Sequence, residues 1–177
     1  TYVTSTDLSV NPPMADCYIA GSDQIWNTYS FNGKEPAYYL DFGAENIKRV
    51  SYAASLSTSN IAEGWEDFVK EKISKLDAVS VREKSGADIL TKIGIRNVTQ
   101  VVDPVFLLEK SEWTTLYRGR AKDYGLNKES YLLVYDFLGN DLDMQHFIKE
   151  YAKNQKLTIV SINDFTPMKY ADININN

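Results

Sequence analysis

The sequence predicts an α/β fold built on a mainly parallel sheet with flanking helices. Two observations lead there. From Cys17 to Ile162, short apolar segments of strand length alternate with segments whose apolar residues repeat every three and four positions. That alternation marks parallel strands joined by crossover helices. The apolar segments also end in polar residues: Ser22-Asp23-Gln24 after the first, then Ser55, Arg82-Glu83 and Asp103. In open parallel sheets, ligands sit beyond the carboxyl ends of the strands. At 177 residues, 44% apolar and 24% charged, the chain has a globular composition and room for one domain, or for one domain and part of another.

The elements follow in order. Residues Thr1 to Asp16 show no period and read as loop, with Pro12-Pro13 near the start. Cys17–Gly21 reads as a buried strand, with Gly21 giving the backbone room to turn and to approach a ligand. Ser22–Asn27 forms the turn into the crevice, and Trp26 returns to apolar character. Asn32-Gly33 and Pro36 signal turns. Ala37–Phe42 reads as a short aromatic strand and Lys48–Ser55 as the next one. Ile61, Trp65, Phe68, Val69, Ile73 and Leu76 place an amphipathic helix over Ile61–Leu76. Ala78–Arg82 is a strand, Glu83–Ile93 a helix, and Gly94 its C-terminal cap. Val98–Val102 is a strand stopped by Asp103-Pro104, followed by short helical pieces at Phe106–Leu108 and Trp113–Tyr117. Tyr131–Phe137 is a strand, Asp141–Asn154 a helix and Leu157–Ile162 a strand, and the tail to Asn177 reads as loop.

The domain reading is a first α/β domain over 1–117, a polar linker with two glycines over 118–129, and the beginning of a second domain over 130–177. Thr1 stands where a methionine would open a protein, so the sequence reads as an excised piece of a longer chain.

Composition narrows the chemistry. With 24 acidic against 19 basic residues, the net charge of −5 argues against broad nucleic-acid binding. A single cysteine, Cys17, forms no intrachain disulfide, which points to a reducing cytoplasm. One cysteine and one histidine cannot build a Cys/His zinc site, and no metal or cofactor is predicted. No apolar run reaches the length of a membrane span. His146 falls within a predicted helix, away from the crevice residues, and carries no predicted chemistry.

If the strands neighbour one another, Ser22, Asp23, Gln24, Ser55, Arg82, Glu83 and Asp103 face a common crevice. Each residue also has a structural explanation. Ser22 or Asp23 caps a helix. Arg82 pairs with Glu83 or Asp103. Asp103 caps a helix that has proline at its first position.

Several segments in order carry a resemblance. They are Gly21-Ser22-Asp23-Gln24-Ile25-Trp26-Asn27, Tyr39-Leu40-Asp41-Phe42, Lys48-Arg49-Val50-Ser51-Tyr52-Ala53-Ala54-Ser55, Ser80-Val81-Arg82-Glu83-Lys84-Ser85-Gly86, Val102-Asp103-Pro104, and Tyr131-Leu132-Leu133-Val134-Tyr135 with Leu138-Gly139. Together they resemble the polysaccharide pyruvyl transferase family over about Cys17 to Ile162. The resemblance implies a Rossmann-like fold within a two-domain architecture of the GT-B type. It also implies transfer of pyruvate from phosphoenolpyruvate to a sugar hydroxyl as a ketal, in bacterial surface polysaccharide biosynthesis.

It implies roles as well. Asp23 would act as the base or orient the sugar hydroxyl, and Arg82 would hold the donor's carboxylate or phosphate. Ser22, Gln24, Ser55, Glu83 and Asp103 would bind substrate. The partners would be phosphoenolpyruvate and a saccharide acceptor, with no nucleic acid, and a homo-oligomer is compatible. The sequence departs from the family in two places: its opening strand with a glycine- and asparagine-containing turn, and a later Ser-Phe-His motif. Neither is found here, so the chain alone is expected to be inactive. A glycosyltransferase using a nucleotide sugar, and a non-catalytic sugar-binding domain, are alternatives on the same fold.

Overall fold

The computed structural model describes residues 5–116, 124, 126, 130–136, 139–163 and 167–175. The chain divides into two compact units, 1–109 and 110–177. The predicted linker over 118–129 lies outside the described residues, apart from Tyr124 and Leu126.

The first unit is a parallel α/β structure. Its strands are β1 (Cys17–Ala20), β2 (Lys48–Ser51), β3 (Val79–Val81) and β4 (Val98–Gln100). β1 pairs with β2 in parallel from Cys17–Lys48 to Ala20–Ser51. β3 pairs with β4 from Val79–Val98 to Val81–Gln100. Parallel bridges at Val50–Ala78 and Ala54–Val81 join the two pairs, so the strands neighbour one another in chain order. This is the mainly parallel sheet expected from the alternation.

The junction of β2 with β3 is fastened by two buried serines. Ser51 Oγ donates to the Ser80 carbonyl (3.0 Å) and accepts from the Ser80 N–H (2.9 Å). Ser80 Oγ donates in return to the Ser51 carbonyl (2.7 Å) and accepts from the Ala53 N–H (3.2 Å). Every polar atom in this clasp is used, which makes its burial affordable in free energy. Ala53, just beyond, has φ 55. This left-handed residue lies in the two-residue gap between the end of β2 at Ser51 and the pairing that resumes at Ala54.

Helices α2 (Glu66–Ile73) and α3 (Lys84–Lys92) provide the crossovers. α2 starts later than its apolar period suggests, because Gly64 takes φ 80 and turns the chain just before it. α3 ends in the predicted glycine cap. Gly94 has φ 95, its N–H donates to the Thr91 carbonyl (3.0 Å), and the Ile95 N–H donates to that of Leu90 (3.0 Å). The core between sheet and helices contains Trp26, Leu56, Val69, Ile73, Val81 and Leu90.

Two local readings are corrected. The aromatic segment Ala37–Phe42 is not a strand: Pro36–Tyr39 forms a 3-10 turn. Pro36 occupies its first position, the Glu35 carboxylate accepts from the Ala37 N–H, and Leu40 closes it at φ 59. Tyr39 is buried by packing instead of by strand pairing, stacked on Trp26 at 5.7 Å, while Tyr38 is exposed. The Arg49 guanidinium then gathers the following loop, donating to the carbonyls of Leu40, Phe42, Ala44 and Ile47. The opening segment also holds a short helix, α1 (Ser5–Val10), with no buried residue and so no apolar period to reveal it.

The second unit carries α4 (Lys110–Leu116), β5 (Tyr131–Tyr135), α5 (Leu142–Gln155), β6 (Thr158–Ile162) and β7 (Ile173–Ile175). Its strands form one parallel sheet in the order β5-β6-β7. Asp141 caps α5 by accepting from the Met144 N–H (3.0 Å). Strand β7 corrects the reading of the tail as loop. It is stabilised by Asn174, whose side chain accepts from the Met168 N–H (2.6 Å) and donates to the Met168 carbonyl (3.2 Å). Ile148, Ala152, Ile159, Met168 and Tyr170 form this unit's core. No helix among the described residues is long and apolar enough to cross a membrane.

Candidate functional site

The carboxyl ends of β1 to β4 meet along one edge of the first unit's sheet. Beyond β1, Asp23 forms a parallel bridge with Ala54, and Ala54 forms one with Val81. The Arg82 N–H donates to the Ala54 carbonyl (3.1 Å), and the Val101 N–H to that of Val81 (2.9 Å). The strand ends therefore lie side by side in register, and the seven predicted residues emerge from them.

The turn after β1 is built differently from the expectation for Gly21. A Cβ at Gly21 would meet nothing within 4 Å, and it is Asp23 that takes the left-handed conformation, at φ 78. Aspartate tolerates this region better than most residues. The turn is held by the Asp23 carbonyl, which accepts from the Ser55 N–H (2.9 Å), and by the Ser55 carbonyl, which accepts from the Trp26 N–H (3.1 Å).

Four of the predicted side chains form one bonded cluster. Ser22 Oγ donates to Asp103 Oδ2 (2.9 Å), and Arg82 Nη1 donates to the same oxygen (3.1 Å). Arg82 Nε donates to Glu83 Oε1 (2.8 Å). Asp103 Oδ1 meanwhile accepts from the Val105 N–H (3.0 Å), capping the turn Pro104–Leu107. One carboxylate thus serves as a cap through one oxygen and ties two strand ends through the other. Glu83 Oε2 is buried with no hydrogen-bond partner among the described residues. Such an acceptor is completed by a ligand or by water.

The other three residues make no side-chain hydrogen bond to this cluster. The Asp23 carboxylate is exposed and accepts no hydrogen bond among the described residues. Gln24 is exposed, and its Oε1 accepts from Asn27 Nδ2 (3.1 Å). Ser55 is fully buried, and its Oγ has no partner among the described residues. An open cavity of about 580 Å³ lies against the cluster, lined by Tyr52, Arg82, Gln100, Val102, Asp103 and Phe106 among others. Tyr52, Gln100 and Phe106 carry no polar strand-end signature that would have marked them in the sequence. Among the described residues, no three His, Cys, Asp or Glu side chains converge as a metal site requires.

The charges of the cluster reinforce one another. The Glu83 and Asp103 carboxylates hold the Arg82 guanidinium in its charged form even more firmly than usual. The Val105 N–H, the Ser22 hydroxyl and the Arg82 guanidinium hold the Asp103 carboxyl below the usual carboxylate range. A carboxyl lowered on folding stabilises the fold while ionised, and that contribution is lost as pH falls through the lowered value. Asp103→Asn is therefore expected to lower the urea midpoint by the same amount at pH 8 and pH 5. The gap from the unsubstituted chain should narrow only below about pH 4, where unfolded aspartate takes up its proton. A gap that closes between pH 7 and pH 5 would contradict the bonding of Asp103.

Compared with models of known protein families, residues 3–174 match the one described as polysaccharide pyruvyl transferase. A search of curated proteins and a search of solved structures find no match.

Proposed function

Since the chain belongs to the polysaccharide pyruvyl transferase family, we propose that it transfers pyruvate from phosphoenolpyruvate to a saccharide acceptor as a ketal. The observation that carries the placement of this chemistry is the Ser22–Asp103–Arg82–Glu83 cluster, with the Asp23 carboxylate, which has no hydrogen-bond partner among the described residues, on the strand end that carries Ser22. The GT-B-like architecture, the cytoplasmic setting and the role in bacterial surface polysaccharides belong to the same proposal.

The transfer balances in two steps. A sugar hydroxyl adds to C2 of the enol phosphate while C3 gains a proton and becomes a methyl group. A second hydroxyl then displaces phosphate from C2, closing the ketal. The two hydroxyl protons end on C3 and on the released phosphate. Asp23 takes the proton of an attacking hydroxyl, the role of a carboxylate general base within hydrogen-bond reach of it.

Arg82 meets the donor. Its Nε and Nη1 are engaged by Glu83, Asp103 and Ser22, which fix the plane of the guanidinium. Its Nη2 makes no hydrogen bond among the described residues, and points of this kind are where a carboxylate or phosphate is captured. Ser22, Gln24, Glu83 and Asp103 bind and orient substrate hydroxyls. Ser55 contributes through the turn that its backbone ties.

The test, made on the intact protein, is an assay of phosphate release from phosphoenolpyruvate with a panel of saccharides, with the new ketal methyl group read by NMR. Arg82→Ala is expected to lower kcat/KM for phosphoenolpyruvate about 10- to 100-fold, as loss of a charge-assisted hydrogen bond of about 1.5–3 kcal/mol implies. Phosphate release without a ketal product, or an Arg82→Ala variant with unchanged kcat/KM, would reject this assignment.

A further inference from the structure

Two aromatic residues without a role above, Tyr52 and Phe106, line the open cavity beside Arg82 and Asp103. The remaining lining is uncharged and mixed: the Gln100 amide and the side chains of Val101 and Val102. Phe106 is 75% exposed, in a turn whose cap is the site residue Asp103. No hydrogen bond among the described residues reaches the Tyr52 hydroxyl.

The backbone around Tyr52 is unusually determined. Its N–H is tied to the Ala20 carbonyl (2.9 Å), and the next residue, Ala53, is held left-handed at φ 55 with its N–H on Ser80 Oγ. A left-handed alanine is disfavoured and persists only where its surroundings over-determine it. Here the surroundings are the reciprocal clasp of Ser51 and Ser80, buried between two strands. An irregular residue within a strand breaks the alternation of side chains and re-aims its neighbour. Strain of this kind collects at ligand sites, and the neighbour it re-aims is a tyrosine in the cavity wall.

We propose that Tyr52 and Phe106 form a saccharide subsite, on which the C–H face of a pyranose ring stacks while its hydroxyls meet the Tyr52 hydroxyl, the Gln100 amide and Asp103. An amphipathic ring with a polar edge and an apolar body suits such a ligand. The subsite rests on the transferase reading for its meaning as the acceptor site, because it holds a hydroxylated ring next to Arg82. Its existence as a sugar site does not depend on that reading.

The experiment uses the full chain with methyl hexopyranosides as probes, read by saturation-transfer NMR and by phosphate release from phosphoenolpyruvate. Tyr52→Ala and Phe106→Ala are each expected to raise the acceptor KM about 10-fold and to weaken the NMR transfer. The KM for phosphoenolpyruvate should stay within about twofold. Tyr52→Phe keeps the stacking surface and should hold the acceptor KM within about threefold. Phe106 is exposed, so its alanine variant tests the subsite even where Tyr52→Ala unfolds. If the chain transfers no pyruvate but binds the glycosides, and Phe106→Ala abolishes that binding, the transferase reading fails and the subsite stands. Unchanged acceptor KM and NMR transfer in both alanine variants, or no glycoside binding by the unsubstituted chain, overturns the subsite.

Discussion

Asp23→Asn is expected to lower kcat about 10²- to 10⁴-fold, the range by which a positioned proton acceptor accelerates such reactions, while KM for phosphoenolpyruvate stays within about twofold. The substitution is a sharp one because it leaves the backbone alone. Asp23 sits at φ 78, and asparagine occupies that region at least as readily as aspartate. The turn is held by the backbone of residues 23, 26 and 55 and not by the carboxylate. Melting temperature should therefore move by no more than a surface substitution usually moves it. Steady-state kinetics with phosphoenolpyruvate and a saccharide acceptor, beside a thermal melt, separates the two possibilities. A normal kcat with a lowered melting temperature would make Asp23 a structural residue of the turn and remove the base from the proposed mechanism.

Trp26→Ala is expected to destabilise the first unit by about 3–5 kcal/mol, the usual range for emptying the space of a buried tryptophan. Trp26 is fully buried, lies nearly parallel to Tyr39 (interplanar angle 4°), and donates its indole N–H to the Tyr38 carbonyl (3.1 Å). Its loss removes the packing, the stacking and the hydrogen bond together, and it does so in the segment that carries Ser22 and Asp23. Against a total stability of about 5–15 kcal/mol for a typical domain, that is enough to leave much of the unit unfolded at physiological temperature. Trp26→Phe keeps most of the packing but strands the Tyr38 carbonyl, for an expected loss of about 1–3 kcal/mol. Urea unfolding followed by far-UV circular dichroism measures both. A loss below about 1 kcal/mol for the alanine variant would mean that the core collapses into the space more readily than its aromatic packing implies.

The sheet of the first unit was legible in the sequence because parallel strands carry compact apolar runs, and Cys17–Ala20, Val79–Val81 and Val98–Gln100 lie within the predicted segments. Strand β2 ends early because a left-handed alanine leaves no trace in a hydrophobic pattern. The segment Ala37–Phe42 misled because tyrosine and phenylalanine favour strands, whereas Pro36, the Glu35 cap and packing against Trp26 bent it into a turn. Strand β7 has only three residues, Ile173–Ile175, too few for an alternation to stand out. In the site, Ser22, Arg82, Glu83 and Asp103 were legible because charged and hydroxyl groups at strand ends are conspicuous. Tyr52 was not, because its place depends on the conformation of Ala53 and on two serines from different strands.

The strand order of the first unit also bears on how the chain assembles. Each strand pairs with the one that follows it in the chain, so no pairing waits for a distant segment. Closing the longer loop, from Cys17 to Lys48, costs under ~0.5 kcal/mol more chain entropy than closing the shorter, from Val79 to Val98. Growth can therefore proceed by adding one strand at a time to a single open edge. Parallel pairing across a crossover is slower than hairpin closure, because the loop must close before the contacts form, but a partly grown sheet offers the next strand a template without first having to break a pairing already made.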